Sequence, residues 1–218
     1  MRVIKLHPKP VISVIIPYDK DRGYLNEAMG SAMNQTYKRV EIVVSCSSRS
    51  LSYNLNKGVV ASSGQWIKIL AEDDILPPDS LANFAQIIEE NSTLDWIVAD
   101  AENFGKKDWS GIYKGCTPTL DQMLYLNCIH GGAVIYKREL FFETGGFNES
   151  LITAEEYDFH LLLLSKGYKV GYLPKTVYRY RVHDKNKYIA MKIKNNAKRR
   201  QYINNNIKSL YGKYSDCT

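Results

Sequence analysis

The stretch "WIKIL", residues 66–70, reads as a short strand and ends directly before three carboxylates. Two further β-branched runs, "VISVIIP" (11–17) and "VEIVV" (40–44), read as strands that are buried on both faces. Stretches of helical character lie between them at 24–37 and 50–64. Strands that alternate with helices in this order predict a parallel sheet with right-handed crossovers.

The carboxyl ends of these three strands are where a ligand is expected, because open parallel sheets bind ligands beyond that edge. The residues that follow the strands are Pro17, Tyr18 and Asp19, then 45–48, then Glu72, Asp73 and Asp74. We call the last three residues the acidic triplet. The order of strands and helices predicts that all three groups line one crevice.

The remainder of the chain indicates a mixed second half of the same domain. A strong helix is predicted to begin after Thr153 as N-cap and to end before Gly167. We predict one domain over 1–183, followed by a basic helical tail over 184–218 that packs on the domain or extends from it. The further predicted elements are a helix at 78–91 and short strands at 95–100, 133–137, 169–173 and 176–182.

The composition is ordinary for a globular protein, with 44% hydrophobic and 24% charged residues in a chain of 218. A formal net charge of +6 mildly favours anionic partners such as nucleotides, phospholipid head groups or nucleic acid. No apolar run approaches the roughly 18–20 residues of a membrane-spanning helix, and the N-terminus has no apolar signal region. The four cysteines are scattered without a CxxC pair, so we expect reduced thiols in a cytoplasmic protein.

Two classes of function are disfavoured by missing motifs. No recognised nucleic-acid motif accompanies the positive charge, so we expect no nucleic-acid partner. The first strand is followed by "PYDKDRGY" (17–24) and not by a G-x-G-x-x-G fingerprint. This argues against a dinucleotide-dependent dehydrogenase.

The acidic triplet allows three interpretations: a solvated turn that caps the helix near Pro77, a divalent metal site, or a pair of general acid and base groups. Its position at the ligand-binding edge of the sheet favours the metal site. Carboxylate oxygens suit Mg²⁺ or Mn²⁺, and Mg²⁺ sites commonly combine one or two carboxylates with substrate phosphates.

Several fragments in fixed order resemble the family 2 glycosyltransferases, which have the GT-A fold. The resemblance implies a Rossmann-like, mostly parallel central sheet flanked by helices, an αβα sandwich. It also implies that "AEDD" (71–74) occupies the place of the family's DxD-type metal motif, with Ala71 where many members have the first aspartate. The fragments are "VISVIIPY" (11–18), "AMGSAMNQTYKRVEIVV" (28–44), "NKGVVASSGQWIKILAEDDILPPDSL" (56–81), "GGAVIYKRELFFETGGFNESL" (131–151), "TAEEYDFHLLLLSKGYKVGYLP" (153–174) and "YRYRVH" (178–183).

The resemblance assigns residues to the metal and to the donor. Asp73 is implied as the main metal ligand, with Glu72, Asp74 and His183 as further candidates, and Asp74 has the alternative role of a helix cap. "SCSS" (45–48) stands where many relatives carry acidic residues, so a thymidine-linked donor stays open beside a uridine-linked one. The implied donor-binding residues are Pro17, Tyr18, Asp19, Ser45, Ser47, Asn56, Lys57, Glu72, Asp73, Arg181 and, beneath the sugar, Gly131 and Gly132 with His130.

A second carboxylate site is implied at "TAEEYDF" (153–159), which matches the family's helix with the general base. Glu156 takes the place of the usual aspartate, and Glu155 is the alternative. The residues alone permit another interpretation, a capping box in which Thr153 is the N-cap and Glu156 is its N3 partner. In the family, a carboxylate here removes the proton of the acceptor hydroxyl.

The implied activity is an inverting, metal-dependent glycosyl transfer from a UDP-sugar such as UDP-glucose to a glycan or another hydroxyl acceptor, with Mn²⁺ or Mg²⁺. The alternative is an inactive GT-A-like module that binds nucleotide or glycan. The resemblance also leaves room for one module of a longer enzyme. For the tail, "KRR" (198–200) permits contact with anionic lipid, although a helix packed on the domain is favoured.

Overall fold

The computed structural model describes residues 1–9, 11–20, 22–106, 110–184, 186 and 201–211. Its strands are β1 (Arg2–Lys5), β2 (Ile12–Tyr18), β3 (Val40–Cys46), β4 (Trp66–Ile69), β5 (Trp96–Phe104), β6 (Gly111–Tyr113), β7 (Val134–Lys137) and β8 (Val170–Arg181). Its helices are α1 (Leu25–Met33), α2 (Leu51–Ala61), α3 (Ser80–Glu90), α4 (Leu120–Tyr125), α5 (Glu139–Thr144) and α6 (Glu155–Ser165). The three strands and two helices predicted over 11–70 are all present as β2 to β4 with α1 and α2.

The strands form one eight-stranded sheet in the order β1-β3-β2-β4-β7-β5-β6, with β8 also paired to β5. β2 pairs in parallel with both β3 and β4, and β5 pairs in parallel with β8. β1, β6 and β7 run antiparallel to their neighbours. The predicted α/β fold with a mostly parallel central sheet is therefore confirmed.

Helices cover both faces of the sheet because the central strands are apolar on both sides. On one face, Ile12, Val14 and Ile16 of β2 pack with buried residues of α1 and α3. On the other face, Ile15 of β2 and Val43 of β3 pack with residues of α2, α5 and α6. Because successive side chains of a strand point to opposite faces of the sheet, a continuous apolar run contributes to the cores on both faces.

Two differences from the predicted elements have local causes. The two short strands predicted at 169–173 and 176–182 are one strand, β8, whose register against β5 shifts between Leu173 and Thr176. Pro174 lies inside that shift, and proline cannot donate to a ladder, so a bulge is expected there. β1 and β6 were not predicted, since both are short and mostly exposed strands at the sheet edges.

The described part of the tail, 201–211, is helical and packs on the domain. Ile207 is fully buried in the core beside α6. The Tyr211 hydroxyl donates to Oδ1 of Asp158 on α6 at 3.0 Å, and the Ile152 amide donates to the Tyr202 hydroxyl at 3.1 Å. The "KRR" stretch (198–200) lies outside the described residues. Within the described chain, no helix has the length and apolar character needed to cross a membrane.

Glu41 anchors β3 to the loop before β4 with a buried carboxylate. Its Oε1 accepts from the Ser13 hydroxyl at 2.6 Å and from the amides of Ser63 and Gly64, and its Oε2 accepts from the Ser63 hydroxyl at 2.9 Å. Burial by itself would raise the pKa of Glu41, but these hydrogen bonds bring it below the ordinary value of 4.5. The carboxylate therefore stabilises the fold above that value, and the contribution is lost as the pH falls through the lower pKa of the folded state.

We expect Glu41→Gln to lower the free energy of unfolding at pH 7 by about 2–3 kcal/mol, because an amide NH₂ then faces buried donors. Denaturant unfolding at pH 7 and pH 4 measures the effect, and the difference from wild type should shrink at the lower pH. Glu89→Gln on the exposed side of α3 is the matched control. A loss below about 0.5 kcal/mol at pH 7 would contradict this role.

Candidate functional site

A cavity of about 510 Å³ opens at the carboxyl ends of β2, β3 and β4. Its walls carry six carboxylates and two arginines, an unusual excess of negative charge in a chain of net charge +6. The lining residues are Pro17, Tyr18, Asp19, Arg22, Arg49, Leu51, Asn54, Ala71, Glu72, Asp73, Asp74, Thr153, Ala154, Glu155, Glu156, Tyr180 and Asn186. The ends of β2 and β4 meet here as expected, together with the start of α6. Residues 45–48 were predicted to line the same crevice but do not, and the wall after β3 is formed by Arg49, Leu51 and Asn54.

Asp74 is held inside the protein by β8. Its Oδ2 accepts from the Tyr178 hydroxyl at 2.6 Å and its Oδ1 from the Arg181 amide at 2.7 Å. Only 2% of the residue is exposed, and burial raises the pKa of Asp74 well above its ordinary value. The alternative role as a helix cap is wrong, because α3 begins at Ser80 with Asp79 as its N-cap.

Asp73 faces His183 and forms the best candidate metal position. Its Oδ2 lies 3.0 Å from Nε2 of His183 and 3.4 Å from Nδ2 of Asn186. The Asp73 carbonyl accepts from Nε of Arg181 at 2.8 Å, which fixes the backbone of the turn. The sequence places Asp73 and His183 in distant segments, so the fold brings these two atoms together.

The side chains of Asp73 and His183 fit a divalent cation whose remaining coordination positions would be filled by water or by a bound substrate. Nε2 of His183 and Oδ2 of Asp73 contact each other directly in a hydrogen bond at 3.0 Å. Adjacent ligand atoms in an octahedral Mg²⁺ sphere of 2.0–2.1 Å radius are also about 3 Å apart, so a cation would take the place of this hydrogen bond without a large movement of either atom. No three His, Cys, Asp or Glu side chains of the described residues are grouped to hold a metal. Asp73 and His183 would therefore leave most coordination positions to water or phosphate oxygens.

Glu72 is bound by an arginine that the sequence analysis missed. Nη1 of Arg22 donates to Oε1 of Glu72, while Nη2 donates to Oδ1 of Asp19 at 2.8 Å. Oε2 of Glu72 is buried and has no hydrogen-bond partner among the described residues. Burial, partly offset by Arg22, raises the pKa of Glu72. Arg22 thus links the ends of β2 and β4 at the cavity.

The loop after β3 is organised by Asn54, another residue without a signal in the sequence. Its Oδ1 accepts from the Ser47 hydroxyl at 2.7 Å, and its Nδ2 donates to the carbonyls of Ser47 at 3.1 Å and Tyr18 at 3.4 Å. Asn54 therefore ties the end of β2 to the end of β3, next to Arg49 and Leu51 in the cavity wall.

Several predicted donor-binding residues do not line the cavity, namely Ser45, Ser47, Asn56, Lys57, Gly131, Gly132 and Arg181. Asn56 is engaged by the segment after α5, donating to the Phe147 carbonyl at 2.9 Å and accepting from the Phe147 amide at 2.9 Å. The Lys57 ammonium lies 5.9 Å from the Tyr53 ring centroid. Ser45 is fully buried. Arg181 is turned toward the Asp73 carbonyl, Glu27 and the Tyr24 ring, so it contacts the backbone of the acidic triplet.

The start of α6 differs from the predicted capping box. The N-cap is Ala154, with a left-handed φ of 64° and no side-chain cap hydrogen bond, and the helix begins at Glu155. Thr153 as N-cap and Glu156 as its N3 partner are therefore wrong. Left-handed backbone at a non-glycine residue costs roughly 1–3 kcal/mol and tends to occur at functional sites.

Glu155 and Glu156 both line the cavity. Glu155 is 4% exposed, whereas Glu156 is half-buried and packs against the loop of His130, Gly131 and Gly132, which we call the glycine loop. A Cβ at Gly131 would lie 3.2 Å from Cβ of Glu156, and one at Gly132 would overlap the Tyr178 ring. The glycines therefore permit the loop to pass between Glu156 and Tyr178.

No protein-family model matches the chain. Curated relatives include an uncharacterized glycosyltransferase of Rickettsia felis, 27% identical over 192 residues that cover 71% of this chain and 31% of that protein. Another from Rickettsia typhi is 27% identical over 210 residues, covering 80% of this chain and 65% of that protein. The chain thus spans between about a third and two thirds of the length of these two relatives.

Among solved structures, Staphylococcus aureus TarS superposes with a TM-score of 0.64 at 19% identity, covering 84% of this chain and 38% of TarS. TarS 1–349 in complex with UDP-GlcNAc gives 0.63 at 16% identity, with 80% of this chain and 59% of that chain covered. The mannosyltransferase PcManGT from Pyrobaculum calidifontis, in complex with GDP-Man and Mn²⁺, gives 0.61 at 18% identity, with 84% and 60% covered. The GT-A fold and the resemblance to glycosyltransferases are confirmed.

Proposed function

We propose that this chain transfers a sugar from a nucleoside-diphosphate sugar to a hydroxyl acceptor such as a glycan, with inversion at the anomeric carbon and with Mn²⁺ or Mg²⁺. A UDP-sugar such as UDP-glucose is the first donor to test. The residues assigned below to donor binding, to metal binding and to the general base that deprotonates the acceptor are part of the same proposal.

The charge of the cavity carries this proposal. A diphosphate is strongly anionic. Even without Asp74 and Glu72, whose pKa values are raised by burial, four carboxylates face two arginines on the cavity walls and would repel it. A divalent cation held by Asp73 would remove that conflict, and Nε2 of His183, 3.0 Å from Oδ2 of Asp73, would be available as a second ligand. The same cavity without a cation is poorly suited to any phosphate ligand.

Asp73 and His183 would hold the metal, with Glu72 and the buried Asp74 as further carboxylates beside them. When bound, the metal neutralises charge that develops on the departing diphosphate. The Asp74 carboxylate would act indirectly: it accepts from the Tyr178 hydroxyl and from the Arg181 amide, and Nε of Arg181 in turn donates to the Asp73 carbonyl. Asp19 and Tyr18 line the part of the cavity proposed for the nucleoside.

Glu156 would act as the general base from the start of α6, and Glu155 stays the alternative. The carboxylate takes the proton of the acceptor hydroxyl as that oxygen attacks the anomeric carbon. The bond from that carbon to the diphosphate breaks, and its electron pair leaves with the diphosphate. No covalent intermediate with the protein is formed.

The ligands bound in the structural neighbours support a nucleotide-sugar donor without fixing its base. TarS 1–349 is described with UDP-GlcNAc, and PcManGT with GDP-Man and Mn²⁺. In this chain, Arg49 and Asn54 stand at the cavity where "SCSS" replaces the acidic loop of many relatives.

A second candidate is a binding module without turnover, motivated by Ala71 in the metal motif and by the "SCSS" loop. Such a module would bind the nucleotide-sugar but release no nucleoside diphosphate. Measuring binding and release on the same preparation separates the two functions.

We expect a nucleotide-sugar with Mn²⁺ to raise the melting temperature by at least about 5 °C at a concentration 100 times its Kd. A thermal-shift screen of UDP-, dTDP- and GDP-sugars, each with Mn²⁺ and with EDTA, measures this. The shift should vanish with EDTA. If no nucleotide-sugar in the panel stabilises the protein, the proposed function is wrong.

A further inference from the structure

Lys68 is a buried cation in the middle of the sheet, next to the site but outside the proposed chemistry. It lies in β4 and is 0% exposed, between Trp66 and Leu70, which belong to the core beside α1 and α3. Burial lowers the pKa of Lys68 to about 7. A buried amine is costly unless its hydrogen bonds are satisfied, so its partners indicate what it does.

The Lys68 ammonium joins two parts of the backbone and an aromatic ring. Nζ donates to the Ile69 carbonyl at 2.8 Å and to the Gly132 carbonyl in the glycine loop. It also lies 4.6 Å from the centroid of the Tyr178 ring. No carboxylate of the described residues is within ion-pair distance of it. The contacts of Lys68 therefore fix the positions of the Gly132 carbonyl and the Tyr178 ring, and they do not form an ion pair with a carboxylate.

Two of these partners connect Lys68 to carboxylates of the cavity: the glycine loop contacts Glu156, and Tyr178 contacts the acidic triplet. Through the glycine loop, Lys68 reaches Glu156, because Gly131 packs on the Glu156 side chain. Through Tyr178 it reaches the acidic triplet. The Tyr178 hydroxyl donates to Asp74 at 2.6 Å and accepts from the Ala71 amide at 3.2 Å, and so binds both ends of the "AEDD" turn.

We propose that Lys68 is a positioning residue, which ties the glycine loop to Tyr178 and thereby keeps Glu156 and the acidic triplet in fixed relative positions across the cavity. The consequence for turnover rests on the proposed function, whereas the structural coupling does not. Lys68→Met removes the ammonium and keeps a chain of similar length, so it releases both the loop and the ring.

Amide hydrogen exchange tests the coupling without any substrate. The Gly132 and Ala133 amides bond within the glycine loop, to Nδ1 and the carbonyl of His130, and the Ala71 amide bonds to Tyr178. In Lys68→Met we expect exchange to become at least about tenfold faster at Ala71 as well as at Gly132 and Ala133. Faster exchange at the loop alone, with Ala71 unchanged, would overturn the proposal.

Lys137→Met is the matched control. Lys137 ends β7, pairs in register with Trp66 at the far end of β4, and forms an ion pair with Asp95 at 2.9 Å. Its loss should lower the melting temperature without changing exchange at Ala71 or Gly132. If Lys68→Met does not fold, Gly132→Ala replaces it, since a Cβ there overlaps the Tyr178 ring. Unchanged exchange at Ala71 in Gly132→Ala would then overturn the proposal.

Turnover is the second measurement. With a donor that the wild type consumes, we expect Lys68→Met to lower kcat about 10- to 100-fold at a temperature where it stays folded, while the donor KM changes less than about threefold. A kcat within twofold of wild type would overturn the positioning role in catalysis. If neither the wild type nor Lys137→Met consumes any nucleotide-sugar, the proposed function fails and the exchange result still decides the coupling.

Discussion

Asp73→Ala is expected to lower metal-dependent release of nucleoside diphosphate from the donor by about 10³-fold or more. A metal on the leaving group supplies several kcal/mol of charge stabilisation, and each 1.4 kcal/mol is a factor of ten in rate. The substitution removes the side chain that lies 3.0 Å from His183 and leaves the backbone contact of Arg181 to the Asp73 carbonyl intact. Steady-state release with varied Mn²⁺ measures the effect.

Asp79→Ala is the matched control for this substitution. Asp79 lies in the same stretch of chain but is exposed, and its carboxylate accepts from the Thr36 hydroxyl at 2.9 Å away from the cavity. We expect this variant to keep wild-type release and wild-type metal dependence. Turnover within threefold of wild type in Asp73→Ala would show that the metal position is assigned to the wrong residue.

Glu156→Gln is expected to lower transfer to the acceptor by about 10²–10⁴-fold, the range of a lost general base. Donor affinity should stay within about threefold, because Glu156 is assigned no contact with the nucleotide. The glutamine keeps the shape that packs on Gly131, so the glycine loop should hold its position. Calorimetric binding of UDP with Mn²⁺ and the transfer rate are measured on the same preparation.

Two further variants, one control and one test of the alternative base, are needed to interpret the Glu156→Gln result. Glu139→Gln changes an exposed first-turn glutamate of α5 and should leave transfer unchanged. Glu155→Gln tests the alternative base on α6. If Glu155→Gln abolishes transfer and Glu156→Gln does not, the base is Glu155, and if both retain transfer, neither carboxylate of α6 is the base.

The central part of the fold follows from local sequence. The runs that became β2 and β3 are mostly β-branched and apolar on both faces, apart from the buried polar residues Ser13, Glu41 and Ser45, so their composition identifies them as buried strands. The edge strands β1 and β6 have no such pattern, because they are short and mostly exposed. Ala154 could not be predicted for another reason: a left-handed φ is uncommon at an alanine, so the residue type does not indicate it.

The site was only partly predictable because much of it depends on tertiary contacts. Asp73 and His183 were paired by family resemblance, since no local pattern links two residues so far apart in the chain. Arg22, Asn54 and Asn186 carry common polar side chains in turns and helices, where a solvated role is the usual one. Lys68 lies in a strand that is otherwise apolar, and its burial is explained by tertiary contacts with the Gly132 carbonyl and the Tyr178 ring, which the local sequence does not show.

The proposed metal site at Asp73 is tested by Mn²⁺ binding measured in the presence and absence of UDP. Asp73 and His183 offer few ligands, so Mn²⁺ alone should bind weakly and UDP should tighten it at least about tenfold, with a reciprocal gain for UDP. Electron paramagnetic resonance of free Mn²⁺ during titration measures this, and Asp73→Ala should abolish the gain. Mn²⁺ affinity that UDP, dTDP and GDP all leave unchanged would contradict the account.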